Sequence, residues 1–207
     1  MENFTNSGVF CGWVSSAPQL SHENHGRKFY KFLLEIPRLS GTADLLPVVA
    51  AEDVLDAAAV TDGDFIRIEG QIRSFNSRAE TGRKLIISVY ADTLICCDGQ
   101  PENAVSLTGV ICKMPTLRRT PLGREICDIM LAVSRRYHRT DYIPCILWGR
   151  TAQECALLST GSRLELHGRL QSRNYLKVLE DRTEERTAYE VSVAEAYLLP
   201  QNFQPET

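Results

Sequence analysis

The 207-residue chain contains one folding pattern twice. Residues 6–50, shifted by 97 positions, align with residues 103–147 without a gap, and the offset becomes 98 further along the chain. Glycine and proline coincide most often, as in Gly12 with Gly109, Pro47 with Pro144 and Gly70 with Gly168. Because these residue types fix turns and bulges, the repeat predicts two domains that share one backbone.

Turn residues and charge mark the boundary between the two copies. The segment from Asp98 to Glu102 reads Asp-Gly-Gln-Pro-Glu, a composition typical of a linker. We therefore predict a first domain over residues 1–99, a second domain over residues 100–200 and a short polar tail over residues 201–207.

Apolar and polar residues alternate with a period of two through much of both copies. Leu164 and Leu166 alternate with charged residues in the second copy, and isoleucines hold the equivalent positions in the first. This pattern predicts half-buried strands. One short stretch per copy has a helical pattern, Val54–Val60 in the first and Thr151–Leu158 in the second.

Each copy therefore reads as three strands, a short helix and two further strands. Five coiled strands with one helix between the third and the fourth are the arrangement of the oligonucleotide-binding barrel, or OB-fold. We predict an all-β chain of two tandem five-stranded OB-folds. A five-stranded meander with a packed helix is the structural alternative.

Charge is distributed unevenly between the copies. Residues 1–102 hold 9 basic and 14 acidic side chains, whereas residues 103–207 hold 14 basic and 12 acidic ones. Residues 113–150 alone hold eight basic side chains against three acidic ones. Such a local block is typical either of an anion-binding face or of a solvated surface laced with ion pairs.

Several functional classes have no support in the sequence. The seven cysteines form no Cys-x-x-Cys pair, which argues against a zinc knuckle or a disulfide framework. The N-terminus lacks a signal-peptide pattern, and no apolar stretch approaches the roughly 18 residues of a membrane span. Phosphate-binding loops and hydrolase or metalloprotease motifs are also absent from the sequence. We expect a cytoplasmic, nucleoid-associated protein with reduced thiols, no membrane partner, no enzymatic activity, no cofactor and no bound metal.

Aromatic rings and arginines are concentrated between residues 118 and 175. Tyr142 and Trp148 are six residues apart on one predicted strand, so both point to the same face of the sheet, about 20 Å apart. Tyr137 precedes that strand, and Tyr175 begins the later hairpin. The accompanying arginines are Arg118, Arg119, Arg135, Arg136, Arg139, Arg150, Arg169 and Arg173. Proteins hold single-stranded nucleic acid with this combination, because rings stack on bases while guanidinium groups contact phosphates.

The second copy resembles the bacterial single-stranded-DNA-binding proteins over nearly all of residues 103–199. The segments that carry the resemblance are, in chain order, residues 103–109, 115–123, 142–152, 168–175 and 186–191. The resemblance implies an OB-fold that protects single-stranded DNA during replication, recombination or repair. It also implies that bases stack on Tyr137, Tyr142, Trp148 and Tyr175, and that Arg118, Arg150 and Arg173 contact phosphates.

The first copy lacks these side chains. Its residues at the four aromatic positions are Ser40, Leu45, Ala51 and Ser77, and Asp53 aligns with Arg150. We therefore expect the first domain to have a structural or oligomerisation role. We expect the second domain to bind single-stranded DNA, with RNA as the alternative ligand. The family is typically a tetramer of single barrels, so the resemblance implies a homodimer that forms a four-barrel pseudo-tetramer.

A competing hypothesis is an OB-fold adaptor that joins proteins in a replication, conjugation or phage complex and has little affinity for nucleic acid. The family commonly ends in an acidic tip that recruits partner enzymes, whereas residues 201–207 hold one acidic residue, Glu206. We expect no recruitment of that kind through this tail.

Overall fold

The computed structural model describes residues 5–79, 82–178 and 182–200. In the first repeat the elements are β1 (Asn6–Val14), β2 (Gln19–Asn24), β3 (Arg27–Pro37), β4 (Ala43–Ala51), α1 (Glu52–Ala58), β5 (Phe65–Ala79) and β6 (Gly82–Cys96). In the second repeat they are β7 (Glu102–Ile111), β8 (Thr116–Arg119), β9 (Glu125–Arg135), β10 (Arg139–Trp148), α2 (Gly149–Ala156), β11 (Arg163–Val178) and β12 (Thr183–Leu199). The tail predicted at residues 201–207 lies outside the described residues.

The chain divides into two compact units. The first-repeat unit holds Ser7–Ala104 together with Leu170–Glu190. The second-repeat unit holds Val105–Arg169 together with the described residues 5–6 and 191–200. The outer parts of β11 and β12 thus belong to the second repeat in sequence but group with the first-repeat barrel. We call these parts, residues 170–178 and 182–190, the arm.

Five long strands close into a barrel in the first-repeat unit. Strand β1 pairs antiparallel with both β3 and β5, which makes it the strand that closes the ring. Strand β5 pairs antiparallel with β6, β6 runs parallel to β4, and β4 pairs antiparallel with β3. The short strand β2 adds an edge to β3, and all six of its residues are exposed.

The second repeat closes in the same order. Strand β7 pairs with β9 and β11, β9 pairs with β10, and β10 runs parallel to β12. Strand β12 in turn neighbours β11, and the short strand β8 adds an exposed edge to β9. A closed ring of five strands, with a helix between the third and fourth of them, confirms the predicted all-β OB-fold in both copies.

Both helices begin two residues earlier than the sequence pattern predicts, at Glu52 and Gly149. Each follows directly on the last residue of a strand, which lies in extended conformation. In α1, Glu52 and Asp53 occupy the first turn, where negative charge is favoured by the helix dipole. Ala59 then ends the helix with a positive φ of 49°, so the predicted continuation to residue 60 was wrong.

Alternation along the strands separates core from surface, as predicted. In β9 and β10, for example, Leu131, Val133 and Ile143 are fully buried between residues that are more exposed. The glycines shared by the repeats lie where strands cross closely. A side chain at Gly70 would overlap the carbonyl oxygen of Tyr90, and one at Gly168 would overlap that of Ser192. The coiled barrel therefore requires glycine at both positions.

All seven cysteines are free thiols, and Cys127 and Cys155 are buried together in the second repeat. Burial raises the pKa of the Cys155 thiol to about 12, so the group stays protonated near neutral pH. Among the described residues, no helix is long and apolar enough to cross a membrane. No group of three or more His, Cys, Asp or Glu in the same part of the chain could hold a metal ion.

Candidate nucleic-acid interface

Strands β8, β9 and β10 bring predicted site residues onto one face of the second-repeat barrel. Trp148 pairs with Ile126 on β9, and Ile126 pairs in turn with Arg118 on β8. Tyr142 pairs with Ala132, six residues further along β9. Because directly opposed residues of antiparallel strands share a face, Tyr142, Trp148 and Arg118 all project from the outer side of this sheet. We call this surface the β8–β10 face.

Two tyrosine rings on this side of the chain are open to solvent. Tyr142 is 42% exposed although its strand neighbours Asp141 and Ile143 are completely buried. Tyr137 is 89% exposed and lies in the turn that joins β9 to β10, with a positive φ of 63°. A large aromatic ring that is open to solvent can stack on a flat ligand.

Trp148 is half-buried, and a hydrogen bond fixes its ring. Its indole Nε1 donates to the hydroxyl of Ser192 on β12, at 3.1 Å. Trp148 is also the last residue of β10, directly before α2. The ring is therefore held in one orientation before any ligand arrives, which lowers the entropy cost of stacking.

Tyr175 lies in the arm, within the first-repeat unit. It is 38% exposed, and the guanidinium carbon of Arg173 lies 5.7 Å from its ring centroid, within the range of a cation–π contact. Arg173 also contacts Glu190 at 3.5 Å. The structure thus brings Arg173 and Tyr175 together in one unit, while the other three predicted rings belong to the second-repeat unit.

Several predicted phosphate-binding arginines form ion pairs with neighbouring carboxylates. Arg118 binds Asp128 with two nitrogens, one of them at 3.1 Å from Oδ1. Arg119 contacts Glu125 at 3.0 Å. Hydrogen bonds from Gln153 and Arg119 hold the pKa of Glu125 below its usual value, so this carboxylate stays ionised. These pairs are exposed, where an ion pair contributes only about 0–1 kcal/mol.

The other predicted arginines differ in accessibility. Arg150 extends from the first turn of α2, contacts Glu154 at 2.8 Å and is exposed. Arg135 instead points at Asp141, which is completely buried, at 3.4 Å. The remaining three, Arg136, Arg139 and Arg169, are exposed.

Sequence reasoning missed one basic residue in the same barrel. Arg163 on β11 pairs with Val110, Val110 pairs with Ala132, and Ala132 pairs with Tyr142. Arg163 therefore lies in the same cross-strand row as Tyr142. Its alternation with Leu164 was visible in the sequence, but the row appears only when the strand register is known.

The first-repeat barrel carries a different surface at the equivalent positions. Ala51, which aligns with Trp148, is buried, and Ser40 lies in the turn before β4. Leu45, which aligns with Tyr142, is partly exposed but has no aromatic ring. Asp53, at the position of Arg150, accepts two hydrogen bonds from one guanidinium nitrogen of Arg27, at 2.8 and 2.9 Å. Stacking rings are absent from these positions, and the charge at the α1 position is reversed.

Comparison with known proteins identifies the family of the second repeat. The model of the single-strand binding protein family matches residues 102–199. Single-stranded DNA-binding protein 2 of Listeria innocua is 36% identical over 109 residues, covering 48% of this chain and 66% of that protein. Single-stranded DNA-binding protein A of Bacillus subtilis is 40% identical over 80 residues, 46% of its length.

Single-stranded DNA-binding protein B of Bacillus subtilis is 38% identical over 80 residues, which cover 35% of this chain and 71% of that protein. The chain thus spans between about half and 71% of these curated relatives. The crystal structure of the single-stranded DNA binding protein from Thermus aquaticus aligns over 97% of this chain and 96% of its own. Its TM-score of 0.78 at 19% identity shows a shared fold. On these matches, the chain belongs to the single-strand binding protein family.

Proposed function

We propose that this protein binds single-stranded DNA with little sequence preference. The observation that carries the proposal is the β8–β10 face, where Trp148 and Arg118 lie in one cross-strand row and Tyr142 projects from the same side. Bases would stack on Tyr142, Trp148 and the exposed Tyr137, and the arm would add Tyr175. Each stacked base contributes about 1–3 kcal/mol, and every base offers a π-face, so this mode tolerates any sequence.

Phosphates would be bound by the arginines around these rings. Arg118, Arg119 and Arg150 already pair with exposed carboxylates, and such pairs contribute little in water. A phosphate can therefore replace the carboxylate at low cost, while counterions released from the DNA favour binding. The predicted set is completed by Arg135, Arg136, Arg139, Arg169 and Arg173. Arg163 is a further candidate.

We propose that the two repeats divide their roles at about residue 99. The second repeat carries the binding rings, whereas the first repeat has a structural or oligomerisation role, since it lacks them and is net acidic. The chain would act without catalysis in the bacterial cytoplasm, on the nucleoid, and protect single strands during replication, recombination or repair. RNA would bind the same surface if the 2′-hydroxyl is tolerated.

Titration of the full-length protein with fluorescent oligo-dT at several salt concentrations tests this function. The affinity should fall with salt, with a log–log slope of about −0.7 for each phosphate contact on a single strand. Tyr142→Ala should weaken binding by about 5- to 150-fold, the range expected for loss of one stacked base. Trp13→Ala, which removes an aromatic ring of similar exposure from the first repeat, is the matched control and should leave the affinity unchanged. Absence of binding, or a binding constant indifferent to salt, would favour the adaptor hypothesis.

A further inference from the structure

One residue of the arm, Ser172, is bonded to the first-repeat barrel through all of its polar groups. Its backbone N–H donates to Oδ1 of Asp44 at 2.7 Å, and its carbonyl oxygen accepts from Arg38 at 2.9 Å. Its hydroxyl accepts a hydrogen bond from the backbone N–H of Leu45 at 3.1 Å. These contacts lie within the first-repeat unit. We call the group formed by Arg38, Asp44 and Ser172 the clasp.

The centre of the clasp is a buried ion pair. Asp44 is only 1% exposed, and Arg38 binds it with two guanidinium nitrogens, Nε at 2.8 Å from Oδ2. The same hydrogen bond raises the pKa of Arg38 above its usual value. Hydrogen bonds to charged groups in such a shielded site are shorter and stronger than neutral ones. The clasp therefore fixes the backbone of β11 at residue 172.

The clasp is adjacent to the predicted DNA-binding residues of the arm. Arg173 follows Ser172 directly in β11. Tyr175 lies two residues after Arg173 and therefore on the same face of β11 as Arg173. Glu190 of β12 contacts Arg173 and also accepts a hydrogen bond from Gln171 at 2.9 Å. The segment that presents Arg173 and Tyr175 is thus held from β12 on one side and by the clasp on the other.

The first repeat contains the Arg–Asp pair of the clasp although it lacks the four aromatic residues. Arg38 and Asp44 align with Arg135 and Asp141, which form the corresponding pair in the second repeat, and Asp141 is likewise buried. Serine, leucine and alanine stand at the first-repeat positions that align with the four aromatic residues. The Arg–Asp pair is therefore present with and without the aromatic residues.

We propose that Asp44 and Arg38 are positioning residues for DNA binding. They hold the arm so that Arg173 and Tyr175 face the bound single-stranded DNA. This inference rests on the proposed function. It gives the first repeat an active part in binding, through the arm and not through a surface of its own. The loss caused by breaking the clasp cannot exceed the loss caused by removing Tyr175 and Arg173 themselves.

Full-length Asp44→Asn tests the proposal, because asparagine keeps the size of the side chain and removes its charge. In the absence of DNA, amide hydrogen exchange at Ser172 should become about tenfold faster, as expected for weakening of a hydrogen bond to a charged group. The affinity for oligo-dT should fall about three- to tenfold, below the limit set by one stacked base. In a background that carries both Arg173→Ala and Tyr175→Ala, Asp44→Asn should change the affinity less than twofold, since the residues that it positions are gone.

Asp53→Asn is the matched control, because it breaks an exposed ion pair in the same repeat. It should alter neither the exchange at Ser172 nor the affinity. If Asp44→Asn does not fold, Ser172→Ala is the alternative, because it removes only the hydroxyl. Amide exchange at residue 172 should then become about two- to threefold faster, and the affinity should fall about two- to threefold.

The possible results separate the two proposals. If Asp44→Asn speeds amide exchange at Ser172 but leaves the affinity for oligo-dT unchanged, the positioning role is overturned. It is also overturned if Asp44→Asn lowers the affinity as much in the Arg173→Ala, Tyr175→Ala background as in the wild-type protein, which would indicate general destabilisation. If the wild-type protein does not bind the oligonucleotide at all, the proposed function fails and the positioning role fails with it.

Discussion

At the scale of single residues, the two arginines of β8 are already paired with carboxylates. Arg118 is held by Asp128 and Arg119 by Glu125, so DNA would have to replace a carboxylate at each. Each exchange trades one charge-assisted contact for another, and the net gain comes largely from counterion release. Binding would therefore be sensitive both to salt and to the acidic partners of these arginines.

The Asp128→Asn variant tests this exchange. Removing the carboxylate takes one negative charge from the face and makes the Arg118 guanidinium easier to recruit. The affinity for oligo-dT at low salt should rise about two- to fivefold, which matches the small free energy of an exposed ion pair. The measurement is the same fluorescence titration. Asp53→Asn, which removes an exposed partner of an arginine in the first repeat, serves as the control and should have no effect. Unchanged or weaker binding by Asp128→Asn would contradict the exchange.

At the scale of strands and helices, the backbone could be predicted from the sequence more completely than the side-chain partners. A side chain at position 70 or 168 would overlap the backbone of the neighbouring strand, so the barrel requires glycine at both. The glycine therefore recurs in both copies and is visible in the sequence as a repeat. Tyr142 and Trp148 share a face because a strand has a period of two. The helix positions were right to within two residues, but a short helix has too few turns for a pattern to fix its ends.

The contacts that could not be predicted all depend on which strands become neighbours. Arg118 meets Asp128 only because β8 and β9 pair in one particular register, and Arg163 joins the row of Tyr142 for the same reason. Ser172 and Asp44 are 128 residues apart in the chain. No local pattern links such residues, and the grouping of the arm with the first-repeat barrel follows from long-range packing alone.

At the scale of the whole molecule, one chain carries two OB-folds, so two chains would supply four barrels. We propose that two chains associate as a homodimer with two-fold symmetry, so that four barrels form a pseudo-tetramer. Two DNA-binding repeats held together would raise the effective concentration of the second for a strand already bound to the first. The acidic first repeat suits this role, because it would keep DNA away from surfaces used for protein contact.

Light scattering on the intact protein checks this assembly. The mass at micromolar concentration should be near twice the 23.2 kDa of one chain. Long oligonucleotides should then bind more tightly than short ones of the same composition, by an avidity factor that disappears when the strand is too short to reach two chains. A monomer that binds one short oligonucleotide per chain, without any gain on longer strands, would rule the dimer out.

The central claim is that bases stack on the second repeat and not on the first, and tryptophan fluorescence tests it most directly. The chain has two tryptophans, one in each repeat, so Trp13→Phe leaves Trp148 as the sole emitter and Trp148→Phe leaves Trp13. Trp148 lies on the β8–β10 face, whereas Trp13 packs edge-on against Phe65 at 4.8 Å between ring centroids. Saturating oligo-dT should quench the emission of the Trp13→Phe protein strongly and leave that of the Trp148→Phe protein nearly unchanged. Strong quenching of Trp13 with little effect on Trp148 would contradict the account.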